Sequence, residues 1–220
     1  MDQHSRISTS AILTESDVAH LVGLPRAAVR RWSQPGKHRS PIISQGTPGR
    51  GASRPTIPLI GLCEATAAKS LKDRGIGSRK VASIITDARA VDPLAFARDF
   101  YTDGTDVFRA IRDELERIKD GQFALRDVFQ DSLRRLNFDT SGVMESYTIA
   151  GGDSDPAKIV IDPRFSAGRP IIERTGTPVF AILSLLGGGE ARHSIAQDFG
   201  LDIGEVSFVD DHRQFLAPVA

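Results

Sequence analysis

The chain has one cysteine, one tryptophan, two tyrosines and no net charge over 220 residues, its 28 Lys and Arg being matched by 28 Asp and Glu. A single cysteine, Cys63, excludes an internal disulfide framework and fits a reducing compartment. It falls in an apolar helical stripe and reads as a small core residue. No apolar run approaches the roughly 20 residues needed to cross a bilayer. The polar start MDQHSRISTS lacks a signal-peptide core, so a cytoplasmic protein with no membrane partner is expected. Histidines stand apart at 4, 20, 38, 193 and 212, with no HExxH and no Cys/His ligand spacing, which points to no metal site. GGG at 187–189 follows a helical pattern and lacks the Lys-Ser/Thr of a phosphate loop, and GTPGRG at 46–51 opens no helix. No catalytic residue and no cofactor are expected, and the chain does not read as an enzyme.

What is present is an ordinary globular composition, 40% hydrophobic and 25% charged, in a chain long enough for two modest domains. The zero net charge hides a segregation. Residues 1–90 carry 14 Lys and Arg against 6 Asp and Glu, a net of +8. Residues 91–150 carry 8 against 12, and residues 151–220 carry 6 against 10, each a net of −4. A basic first third is the electrostatic footprint of a segment that meets phosphates. The acidic remainder suits a protein partner.

The stretch LTESDVAHLVGLPRAAVRRW at 13–32 specifies two short helices. Thr14 is an N-cap with Asp17 at the capping-box position, Gly23 is a stop, and Pro25 fits the start of a second helix. Leu24, Ala28, Val29 and Trp32 form the inward stripe of that second helix, leaving Arg26, Ala27, Arg30 and Arg31 outside. Two helices joined through a glycine turn, the second basic on its outer face, describe a helix-turn-helix. After it, Ile42–Ile43 and Thr56–Ile57 are short β-type runs around a Gly/Pro/Ser-rich loop. Arg50 and Arg54 lie in that loop, with Lys37 and Arg39 at its root, as in a hairpin wing laid along DNA. The DNA-binding candidates are therefore Arg26, Ala27, Arg30, Arg31, Lys37, Arg39, Arg50 and Arg54.

Downstream, 58–74 is helical with Leu59, Leu62, Cys63, Ala67 and Leu71 inward, and Ser78 caps a further helix with Val81, Ile84, Ile85 and Ala88 inward and Arg79, Lys80 and Arg89 outside. FYTDGTDVF at 100–108 carries an Asp-Gly hairpin signal. Segments 109–120 and 124–136 read as charged amphipathic helices, 137–149 as a second hairpin, and GGDSDPA at 151–157 as a linker. A short strand from 159 then leads into helices at 178–186, capped by Thr177, at 190–199 and at 204–216. The last two again resemble a helix-turn-helix in pattern. The final helix carries Glu205, Asp210 and Asp211 with Arg213 as its one basic residue, a poor surface for phosphate.

The expected fold is mainly α with short β-hairpins (α+β), an N-terminal winged helix-turn-helix plus a C-terminal helix-turn-helix-like helical domain. The expected divisions are a DNA-binding domain at 1–90, a middle α+β region at 91–150 that is a candidate partner-binding segment, and a C-terminal helical association domain at 158–220. A homodimer is expected, since helix-turn-helix proteins pair to read two half-sites.

VGLPRAAVRRW at 22–32, with Thr14 before it and KSLKDRGIGSRKVASI at 69–84 after it, resembles the MerR-type winged helix-turn-helix, although Leu24 stands where that family commonly has Ser or Thr. The C-terminal series Gly168, Pro170, Ile172, Thr177-Pro178-Val179, Ile182, Leu186, Gly189, Ile195-Ala196, Phe199, Leu201 and Val206 resembles a small domain of antitoxins encoded beside PIN-domain ribonucleases. RTGTPV replaces its usual GTRIPV. Head, middle and tail together resemble a long VapB-type antitoxin. That resemblance implies a PIN-domain (VapC-type) ribonuclease toxin and operator DNA as partners, in a type II toxin–antitoxin system that represses its own operon. The toxin-contacting segment is placed first at 109–136 and second at 159–186. Alternatives are a one-component MerR-like transcriptional regulator with a small-molecule-sensing C-terminal region, and a structural or partner-binding protein without DNA contact.

Overall fold

Thr14 settles where the first helix begins. In the computed structural model, which describes residues 10–36, 40–46, 55–91, 135–140 and 144–216, its hydroxyl accepts the Asp17 N–H at 3.2 Å and the Asp17 carboxylate accepts the Thr14 N–H at 2.8 Å. This reciprocal box satisfies two amides that a helix start leaves unpaired. Helix α1 (Glu15–Val22) ends at Gly23, whose φ of 69° is left-handed. Helix α2 (Arg26–Ser33) follows from Pro25. Before them, β1 (Ala11–Leu13) pairs antiparallel with β2 (Ile57–Pro58), which leads directly into α3 (Leu59–Asp73). Helix α4 (Ser78–Val91) closes this part, its first turn bonded to the Gly77 carbonyl. The core is Val18, Val22, Val29 and Trp32 from the first two helices, with Leu59, Leu62, Leu71, Val81 and Ile85 from the next two. Cys63 is among them, as its stripe position predicts.

Two sequence expectations need correction here. Ile42–Ile43 is not a strand, and the partner of β2 is β1. The Ile42 and Ile43 amides instead donate to the Trp32 carbonyl oxygen, at 2.8 and 3.1 Å, so they are not available to a ladder. Arg89, placed on the outer face of its helix, turns inward to the fully buried Glu64 carboxylate. The expected hairpin at 100–108 and helix at 109–120 lie outside the described residues, as does 124–136 up to residue 134.

The chain divides into two compact units between Glu145 and Ser146. Leu136, expected at the end of a helix, begins β3 (Leu136–Phe138), so the hairpin reading of 137–149 agrees with β3 and β4 (Met144–Ala150) as neighbouring strands. With β5 (Ile159–Ile161) and β6 (Ile171–Ile172) they form a sheet in the order β3-β4-β5-β6. The stretch 151–157 is thus the loop of an antiparallel β4–β5 pair rather than a linker.

In the second unit, α5 (Val179–Gly187) has Pro178 as its N-cap and so begins one residue later than the Thr177 cap predicts, and the Thr177 hydroxyl shares a hydrogen bond with Thr175 instead. Helix α6 (Arg192–Phe199) stops at Gly200 with φ 62°, and α7 (Ile203–Asp211) starts from Asp202. The expected single helix at 204–216 breaks at His212 before α8 (Arg213–Leu216). Glu205, expected on the acidic outer face, is 3% exposed. It accepts the Asp202 N–H and is gripped by Arg174, whose Nε lies 3.0 Å from it while Nη2 also reaches the Gly200 carbonyl. The architecture is α+β, mainly helical with small antiparallel sheets.

The Arg174 hydrogen bonds, first among the causes, hold the Glu205 carboxyl below the usual range. Its contribution to stability is therefore full above the unfolded-state value of about 4.3 and lost as pH falls through the lower folded value. Glu205→Ala, which removes the acceptor of the Asp202 N–H and the partner of Arg174, should destabilise the second unit by about 1–2 kcal/mol at pH 7. The difference should shrink toward pH 3, as read from urea titrations followed by α7 amide resonances.

Candidate nucleic-acid interface

Helix α2 owes its orientation to one apolar edge. Val29 and Trp32 are buried at 0% and 4% exposure, and Ser33 turns its hydroxyl back to the Val29 carbonyl at 2.9 Å. With that edge inward, Arg26, Ala27, Arg30 and Arg31 are all exposed on the opposite side. The sequence-predicted face is thus brought together on one helix. Arg26 Nε lies 3.7 Å from the Glu15 carboxylate in the first turn of α1. An exposed pair of this kind adds little stability, but it biases a long side chain toward one direction. Lys37, Arg39, Arg50 and Arg54 lie outside the described residues. On either side of the stretch that holds Arg50 and Arg54, the Gly46 N–H donates to the Thr56 carbonyl at 2.9 Å.

Behind α2 is a cluster that sequence reasoning missed. Glu64 on α3 accepts the amide N–H of Ser44 and, at 2.9 Å, its hydroxyl. Arg89 on α4 donates to Glu64 through Nε at 3.0 Å, to the Pro41 carbonyl at 3.1 Å and to the Ile42 carbonyl at 2.9 Å. Burial pushes the Glu64 carboxyl up, while Arg89 and the Ser44 donors oppose that shift. The signal was present: Glu64 is the one carboxylate in LIGLCEATAAKSL (59–71), and Arg89 falls four residues after the inward Ile85.

The second unit repeats the helix, left-handed glycine, helix arrangement in α6, Gly200 and α7, with a different surface. Among α7 residues there is no Lys or Arg. Its exposed positions include Ile203, at 58%, and Asp211, beside the exposed cap residue Asp202. Asp210 is held below the usual carboxylate range by hydrogen bonds from Arg192 and Arg213, both at 2.6 Å. Elsewhere in this unit Ser166 and Ala167 hold left-handed φ values of 48° and 53°, in a turn that follows Phe165. Phe165 and Phe180 are exposed at 49% and 43%, and the Arg169 guanidinium lies 5.2 Å over the Phe180 ring. Left-handed conformations in non-glycine residues store strain that tends to collect at functional surfaces.

The sequence pattern of the family described as "Protein of unknown function (DUF433)" matches residues 159–209, from β5 into α7. Across nearly its whole length the chain is similar to a Mycobacterium tuberculosis protein named "Putative antitoxin VapB45". The two are 22% identical over an alignment of 215 residues, gaps included, that covers 86% of this chain and 88% of the other. A solved structure titled "X-ray crystal structure of Rv2018 from Mycobacterium tuberculosis" has the same fold, with a TM-score of 0.71 at 21% identity over 91% of this chain and 98% of that one. No helix among the described residues is long and apolar enough to cross a membrane.

Burial also pushes the Cys63 thiol well up, with Glu64 adding to the effect. The native chain should therefore leave a disulfide reagent such as dithionitrobenzoate unreacted over minutes and release one thiol equivalent only on denaturation. Rapid reaction of the folded protein would contradict the placement of Cys63 in the core.

Proposed function

We propose that this protein is the antitoxin of a type II toxin–antitoxin pair that represses its own operon by binding operator DNA and silences a PIN-domain ribonuclease by binding it. The observation that carries the reading is the similarity, over most of both chains, to a protein named as an antitoxin. The charge division supports the split of labour. The basic first 90 residues serve the DNA, with Arg26 and Arg30 reading base edges in the major groove and Ala27 in apolar contact beside them. Arg31, Lys37, Arg39, Arg50 and Arg54 lie against the backbone. The acidic remainder faces protein, the middle region 91–150 and the helical region 158–220 being kept free for the toxin and for a second copy.

A nuclease site built on metal-binding carboxylates is blocked by covering its mouth or by setting an arginine against its acids. Segment 109–136 is the first candidate for this contact and 159–186 the second. The exposed Phe165, Arg169 and Phe180 favour the second, because interface anchors are enriched in aromatic residues and arginine. Pairing of two copies through α5 and the α7–α8 region would present two α2 helices to a two-fold operator.

The test is co-expression of the full chain with the neighbouring open reading frame, beside gel shifts on the DNA upstream of both. Arg26→Ala and Arg30→Ala should each weaken operator binding about ten-fold or more, as expected for loss of a bidentate base contact. Both variants should still rescue growth. Failure of the unaltered chain to rescue growth from any neighbouring gene product would contradict the antitoxin reading, and unchanged operator affinity in both variants would remove α2 as the reading helix.

A further inference from the structure

Glu64 is fully buried and the Arg89 guanidinium is taken up by acceptors within the protein, and a short route of hydrogen bonds joins them to α2. Arg89 donates to the carbonyl oxygens of Pro41 and Ile42, and Glu64 accepts both donors of Ser44. The segment so held, residues 41–44, donates two amides to the carbonyl of Trp32, the penultimate residue of α2. Gly61 lets this segment lie close to α3: a methyl group there would come within 2.8 Å of the Ser44 carbonyl and 2.7 Å of the Ile57 side chain. Arg30 stands two residues before Trp32, roughly 3 Å along the helix axis.

We propose that the Arg89–Glu64 pair and Gly61 form a clamp that sets the position of α2, so that the sequence discrimination of this protein depends on residues that never contact DNA. The inference rests on the DNA-binding reading of α2. Its physical basis is a difference in range. Attraction between arginine and phosphate falls off over a Debye length of about 8–10 Å and tolerates a displaced helix. A bidentate hydrogen bond to a base edge does not, because a shift of about 1 Å takes the donor beyond bonding distance. Loosening the clamp should therefore cost discrimination and spare non-specific binding.

Two full-length variants test this. Arg89→Lys keeps the net charge and loses the fork that reaches two carbonyls and a carboxylate at once. Gly61→Ala alters no charge and adds only the methyl that displaces the segment. Helicity is followed by circular dichroism, the position of α2 by the emission of Trp32, the one tryptophan in the chain, and DNA binding by competition between upstream DNA and a scrambled duplex across a salt series. The clamp predicts wild-type helicity and a red shift of Trp32 emission. It also predicts a fall of about ten-fold in the ratio of upstream to scrambled affinity, with scrambled affinity and its salt slope unchanged. Wild-type emission and wild-type discrimination in either folded variant would overturn it. So would collapse of helicity in both, which would make the cluster a determinant of folding. If the unaltered protein shows no preference for its upstream DNA, the DNA-binding reading is what fails, and Trp32 emission in the two variants still decides the clamp.

Discussion

A carboxylate buried where three chain segments meet, Glu64, constrains the first unit. Taking Glu64 out of water costs several kcal/mol unless every lone pair finds a donor in good geometry. The donors come from different places: Ser44 from the segment after α2, and Arg89 from α4. Arg89 in turn satisfies the Pro41 and Ile42 carbonyls, backbone groups that no strand ladder serves. Such a pair is weak evidence for stability, since apolar replacements of similar volume often serve as well. What it supplies is geometry, because each partner accepts only one arrangement of the others. The exit of α2, the start of α3 and the inward edge of α4 are fixed together as a result.

The two units use one local grammar to build different surfaces. Each contains a helix stopped by a left-handed glycine, Gly23 or Gly200, and then a second helix. Each also contains a capping box, Thr14 with Asp17 and Asp202 with Glu205. In the first unit the helix after the glycine exposes three arginines. In the second, the corresponding helix exposes Ile203 and Asp211, and the charges near it are drawn into local pairs such as Arg174 with Glu205 and Arg192 with Asp210. Backbone shape alone therefore does not assign a partner. The proposed division between phosphate and protein rests instead on the distribution of charge over the equivalent faces.

Much of the fold was legible because it depends on local signals. The Thr14 cap, the Gly23 stop, the inward edge of Val29 and Trp32, and the apolar face of 58–74 all follow from spacing and propensity. What was not legible depends on distant partners. Nothing near Ile42–Ile43 in sequence reveals that its amides are taken by Trp32, so a β-prone pair read as a strand. Arg89 read as a solvated charge because its carboxylate partner lies 25 residues away, and Arg174 was overlooked because Glu205 lies 31 residues on. GGDSDPA read as a linker because composition does not show that the strands on either side of it pair. For the candidate site, the α2 face could be read residue by residue, while the cluster behind it showed only as a lone carboxylate in 59–71 and an arginine in step with Ile85, not as a pair.

On the proposed reading α2, and not the similarly built α7, meets DNA. Hydrogen–deuterium exchange of the full chain with and without its own upstream DNA tests this most directly, because it reports on both helices in one experiment. Exchange should slow across residues 26–33 on adding DNA and stay unchanged across 203–211. Protection of 203–211 with none at 26–33 would contradict that reading.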